Sequence, residues 1–112
     1  MPNVSATEID IAEMTTAIVE AVRPRMVLLI GSWAQGTERT ESDIDFLVIS
    51  NAAFTASESR SAITNTIRKV LRKFRVAKDI ILVSPEELEF WRSSPNHIIG
   101  RGLKSGKVLY AR

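Results

Sequence analysis

Cysteine is absent from the chain. Disulfides and thiolate metal sites are therefore excluded, and the composition fits a reducing compartment. Histidine occurs once, as His97, so no His/Cys cluster with zinc spacing exists. Neither sign of charge dominates. Fifteen Lys+Arg against 13 Asp+Glu leave a formal net charge of +2, too little to argue for nucleic acid or a membrane surface. No apolar run approaches the roughly 20 residues of a membrane-spanning helix. The opening Met1-Pro2-Asn3-Val4-Ser5 lacks the basic-then-apolar order of a secretory leader. Internal repeats, linkers and low-complexity segments are also lacking. These absences lead us to expect a cytoplasmic protein without a membrane partner.

What is present is ordinary in bulk. A length of 112 residues implies one domain, 1–112, with a real but modest core. Apolar residues make up 45% and charged residues 25%, as in typical globular chains. Arg68, Lys69, Arg72, Lys73, Arg75 and Lys78 crowd one region. Such a cluster reads as a solvated helix face rather than a nucleic-acid patch.

Apolar spacing and end signals lay out the elements. Ser5-Ala6-Thr7-Glu8 has the form of a capping box. Ile11, Met14, Ile18 and Val22 then recur at helical steps, which predicts a helix over about 6–22, stopped by Pro24. Strands are predicted at 26–30, 44–50 and 79–83, with a turn and at most a short helix over 31–43. Thr55-Ala56-Ser57-Glu58 suggests a second capping box, and Ile63, Ile67, Val70, Leu71 and Phe74 predict a helix over 56–74. Ser84-Pro85-Glu86-Glu87 is a strong helix start. Ser94-Pro95 starts one more helix, closed by Gly106, and 107–110 form a short last strand. Strands separated by helices indicate an α+β, α/β-like domain with helices packed on a small mixed or parallel sheet.

Function is concentrated in Gly31 to Asp45, GSWAQGTERTESDID. A Gly-Ser pair ends one apolar strand. Ten residues later, Asp43-Ile44-Asp45 opens the next. Carboxylates at i and i+2 on a strand share a face. Asp45 lies between Ile44 and Phe46, where an acid is costly unless it meets a cation or a donor. Asp79 likewise opens an apolar strand and joins the pair if the two strands are neighbours. Gly31 lets a phosphate approach the backbone, and Ser32 offers a hydroxyl at a helix start. Gly36 permits a second tight turn, and Ser42 orients the loop. Clustered oxygen ligands beside such a turn suit a Mg2+-bound polyphosphate. Three crowded acids repel, so at least one should have a raised pKa without metal.

The chain resembles the polymerase-β-like nucleotidyltransferases, whose signature is Gly-Ser, ten residues, then Asp-x-Asp. Gly31-Ser32 and Asp43-Ile44-Asp45 match at that interval. Ala34-Gln35-Gly36 and Ser42 match the flanking pattern, and the later-strand acid maps onto Asp79. The resemblance implies a nucleotidyltransferase fold with Asp43, Asp45 and Asp79 as catalytic metal ligands. It implies Gly31, Ser32, Gly36 and Ser42 as nucleotide-binding residues. Short length and the ending Gly106-Lys107-Val108-Leu109-Tyr110 look like the minimal nucleotidyltransferases, often paired as antitoxins with HEPN-domain toxins. Those transfer a nucleoside monophosphate, commonly AMP from ATP, to a partner protein. Two alternatives are a non-catalytic antitoxin that masks its partner and a transferase acting on a small molecule.

Other features are weaker. Gly100 to Lys107 imitates a phosphate loop but fails its spacing, because Val108 stands where Ser or Thr is needed. A helix end explains it better. His97 reads as a surface or helix-start residue, and Arg39 as a solvated loop cation. Trp33 either stacks near the nucleotide or covers the sheet edge. Phe90, Trp91, Ile98 and Ile99 pack on their own sheet or form an interface with a partner protein or a second copy, since aromatics at helical spacing are usually core.

Overall fold

The structure is a computed structural model that describes residues 6–36, 43–94 and 96–112. The expectations for Ser5, Arg39, Ser42 and Pro95 lie outside them. Along the chain come α1 (Ala6–Val22), β1 (Met26–Ile30), α2 (Ser32–Gln35), β2 (Ile44–Ile49), α3 (Arg60–Leu71), β3 (Lys78–Val83), α4 (Pro85–Trp91), α5 (Ile98–Ser105) and β4 (Lys107–Ala111). α1 forms as its spacing predicts, with Ile11, Met14 and Ile18 buried along one stripe. Arg23 closes it at φ +47, its N–H donating to Val19 O at 2.9 Å.

Two helix starts differ from expectation. α3 begins at Arg60, not at 56, and its N-cap is Ser59, whose hydroxyl accepts from Ala62 N–H at 3.2 Å. Thr55 does accept from Glu58 N–H at 3.0 Å, but its own N–H donates to Glu58 O at 3.1 Å. That reciprocal pair closes a local turn instead of opening a helix. α3 also ends at Leu71 rather than 74. α5 begins at Ile98 with His97 as N-cap, its Nδ1 accepting from Ile99 N–H at 3.2 Å. α4 starts as read, with the full Ser84–Glu87 capping box and Pro85 in its first turn.

The sheet has the order β3-β2-β1-β4. β1 pairs antiparallel with β2 and with β4, while β2 pairs parallel with β3. The sheet is therefore mixed. One face carries Val27, Leu29, Phe46, Val48 and Leu82 against Ile11, Met14 and Ile18 of α1 and Ile67 and Leu71 of α3. The other carries Leu28, Ile30, Leu47, Ile49 and Val83 against Leu88 of α4 and Ile99 of α5. Both faces of β1 and β2 are covered, which is why they read as continuous apolar runs.

Arg60 ties three elements together. Its Nη1 donates to Leu82 O at 2.7 Å and to Glu87 Oε1 at 2.9 Å. Its Nη2 pairs with Glu87 Oε2. The α3 start is thereby anchored to β3 and to the first turn of α4.

Candidate active site

The buried run of β2 is interrupted once, at Asp45. In register, Asp45 lies opposite Ile30 of β1 and Asp79 of β3. Register partners share a face, so Asp45 and Asp79 stand side by side on the side covered by α4 and α5. The next row on that face is Leu28, Leu47 and Ile81. The acids thus occupy the position that apolar side chains fill one row further in. Asp43 lies one residue before β2 and is exposed.

Electrostatics reflects the crowding. The Asp45 carboxyl is held above its ordinary value of 3.8, first by burial, then by the charges of Asp79 and Asp43. Among the described residues no ion pair reaches any of these three acids. Nor do any three Asp, Glu, His or Cys side chains among them stand close enough to hold a metal ion as they are. Asp79 Oδ1 accepts instead from the Ile80 N–H at 3.0 Å. Carboxylates of this kind are oxygen ligands suited to a hard divalent cation, and a cation beside Asp45 would offset the crowding that raises its pKa.

The turn after β1 is built against this acid. Gly31 has φ +76, and a Cβ there would stand 2.6 Å from Asp45 Oδ2. Both the backbone and the close approach require glycine. Ser32 opens α2, whose amides at Ala34 and Gln35 donate to Gly31 O at 3.1 and 3.3 Å. Gly36 ends α2 in the left-handed region, and nothing lies within 4 Å of where its Cβ would be. Its role here is the turn itself.

A pocket of about 270 Å3 opens beside Asp45 and Gly31. Its other wall is α5, through Ile98, Arg101, Lys104 and Ser105. In the sequence, Ile98 reads as a core or interface residue and Arg101, Lys104 and Ser105 fall in the stretch set aside as a helix end, so none of them stands out as a site residue. The signal was there in Gly102, a poor residue for a helix interior. Its Cβ would stand 3.0 Å from Ile30 Cγ2, so the glycine lets α5 press onto the end of β1. The remaining candidates separate cleanly. Trp33 packs with the α1-side core, away from the face of the acids. Ile99 and Trp91 pack on the sheet, whereas Phe90 and Ile98 are 70% and 46% exposed. Trp91 stacks on His97 with ring centroids 3.6 Å apart.

Comparison with known proteins agrees with this architecture. The family described as Polymerase beta, Nucleotidyltransferase matches residues 13–112. The chain belongs to that nucleotidyltransferase family. Comparison with curated proteins finds no match. Among solved structures, a toxin–antitoxin with AMP-PNP aligns at 20% identity and TM-score 0.56, over 90% of this chain and 73% of that one. A mutant of the toxin–antitoxin MntA–HpeT aligns at 16% identity and TM-score 0.55, over the same shares, 90% and 73%. A proposed nucleotidyltransferase from Sulfolobus solfataricus aligns at 21% identity and TM-score 0.58, over 99% and 91%. At these identities the likeness is one of fold. No helix among the described residues is long and apolar enough to cross a membrane.

Proposed function

We propose that the chain moves a nucleoside monophosphate, AMP from ATP, onto a hydroxyl of a partner protein, and that it does so as the antitoxin of a HEPN-domain toxin. One observation carries this reading. The Gly31 turn is pressed onto the Asp45 carboxylate, with Asp79 its register partner. Family membership supports the reaction class. The structural neighbour with AMP-PNP supports a triphosphate ligand, and the toxin–antitoxin neighbours support a toxin partner.

Each residue has a role in that reaction. Asp43, Asp45 and Asp79 would hold Mg2+. When bound, the cation neutralises phosphate charge and makes the acceptor hydroxyl more acidic. Gly31 and Ser32 would receive the β- and γ-phosphates, Gly36 would fix their turn, and Ser42, next to Asp43 in the sequence, would contribute to nucleotide binding. The acceptor oxygen attacks the α-phosphorus and forms the new P–O bond. The bond to the β-phosphate bridge breaks, and pyrophosphate leaves. The hydroxyl proton passes to the exposed Asp79 carboxylate.

A second reading rests on Asp79, whose oxygen is turned onto its own backbone. A chain that never closes its three acids would neutralise its partner by binding alone. Incubating the purified chain with labelled ATP, Mg2+ and the protein encoded beside it separates the two. Label on the neighbour is the expected result. A tight complex that stays unlabelled overturns transfer in favour of masking.

A further inference from the structure

We infer that Arg101 and Lys104 of α5 form the binding wall for the polyphosphate end of the nucleotide, a reading that rests on the nucleotidyl transfer proposed above. Both residues line the pocket that Asp45 and Gly31 line from the other side. They are three apart on one helix, so they are neighbours on its surface. Both are exposed, and among the described residues neither pairs with a carboxylate. The one hydrogen bond of the Arg101 guanidinium among them is a long donation to Asn96 O at 3.4 Å. Ser105 is committed elsewhere, its hydroxyl donating to Arg101 O at 2.9 Å.

The charge pattern selects the ligand. An acid on one wall and, on the other, two cations that have no acid partner among the described residues suit an elongated anion, capped at one end by a cation held at the acid. A nucleoside triphosphate has that form. The arginine supplies a planar fork for phosphate oxygens and the lysine a mobile point charge. At about 270 Å3 the pocket lies just below the roughly 300–1,000 Å3 of sites that enclose a small ligand. It therefore takes the phosphate tail and leaves the base outside. Charge builds on the departing pyrophosphate as the reaction proceeds, and two cations carried on one helix stabilise it there. Their position is set by packing, because Gly102 seats α5 against Ile30 and Leu47.

Calorimetric titration of the full chain with MgATP, tripolyphosphate and AMP tests the assignment. The variants are Arg101→Gln, Lys104→Gln and the pair, with Arg101→Lys as the charge-keeping control and melting curves to confirm folding. Each single change should weaken MgATP and tripolyphosphate about tenfold, and the pair more, with AMP binding unmoved. Arg101→Lys should retain most of the affinity. Unchanged MgATP binding in a folded double variant overturns this inference and leaves nucleotidyl transfer standing. Equal losses for AMP and ATP also overturn it, since a general disturbance of α5 would do that. A wild-type chain that binds neither MgATP nor tripolyphosphate overturns both readings.

Discussion

At Gly31 two separate constraints meet. The backbone is left-handed, and the space where a side chain would begin belongs to Asp45 Oδ2, 2.6 Å away. Gly31→Ala should destabilise the chain by about 1–3 kcal/mol, read from thermal melting. It should also slow nucleotide transfer at least tenfold, because Asp45 must move. A variant as stable and active as the wild type would contradict the contact. Asp45 itself costs stability in its charged form. With a pKa above 3.8 in the folded state, the folded chain holds its proton more tightly than the unfolded chain. Folding is thus favoured at low pH, and that advantage is lost as pH rises through the raised pKa. Asp45→Asn should therefore raise the metal-free melting temperature at neutral pH by about 2–4 °C. The gain should vanish below the ordinary value of 3.8. A neutral-pH loss in Asp45→Asn would refute the crowding. Added Mg2+ should stabilise the wild type and leave Asp45→Asn unmoved. Asp45 was legible because a carboxylate inside an apolar strand is a local anomaly. Arg101 and Lys104 were not, because their meaning depends on how α5 packs across the sheet.

Among the elements, those with strong local signals came out as read. α1 has its apolar stripe and its proline stop, and α4 has a complete capping box. The start of α3 was misplaced because Thr55 and Ser59 both offer a hydroxyl three residues ahead of a backbone N–H. What separates them is tertiary. Arg60, the first residue after Ser59, grips Leu82 O and Glu87. That grip holds the Glu87 carboxyl below its ordinary 4.5, through the Arg60 hydrogen bond first. Glu87→Gln keeps an amide for the capping box and removes the charge. It should cost about 0.5 kcal/mol at neutral pH, the scale of a half-exposed ion pair. Because the folded pKa is depressed, this contribution is complete above 4.5 and fades as pH falls through the lower folded value. Melting curves of wild type and Glu87→Gln should converge in acid. A gap that persists or widens there would exclude the ion pair as its source. His97 carries a similar local burden as the N-cap of α5, where His97→Ala should cost about 0.5–1 kcal/mol in denaturant unfolding.

For the whole molecule, the sequence was informative about which elements exist and silent on how they pair. The order β3-β2-β1-β4 rests on non-local ladders that no local pattern encodes. That order is what brings Asp79 beside Asp45, since β2 and β3 pair in parallel with the two acids in register. The same topology puts α4 and α5 on the acids' side and α1 and α3 on the other. The exposed Phe90 and Ile98 belong to α4 and α5 on the acids' side, the side an acceptor protein would approach in the proposed transfer. Phe90→Ser should weaken partner binding at least tenfold in a pull-down titration without changing the melting temperature, because a single exposed aromatic contributes little to folding. Unaltered partner affinity would place the contact elsewhere. The central claim is that Asp43 and Asp45 serve chemistry rather than architecture. Pyrophosphate release from ATP, with Mg2+ and the neighbouring protein present, measures that directly in the wild type and in a folded Asp43→Asn, Asp45→Asn variant. The account predicts steady release by the first and none above background by the second. Comparable release by both would contradict it.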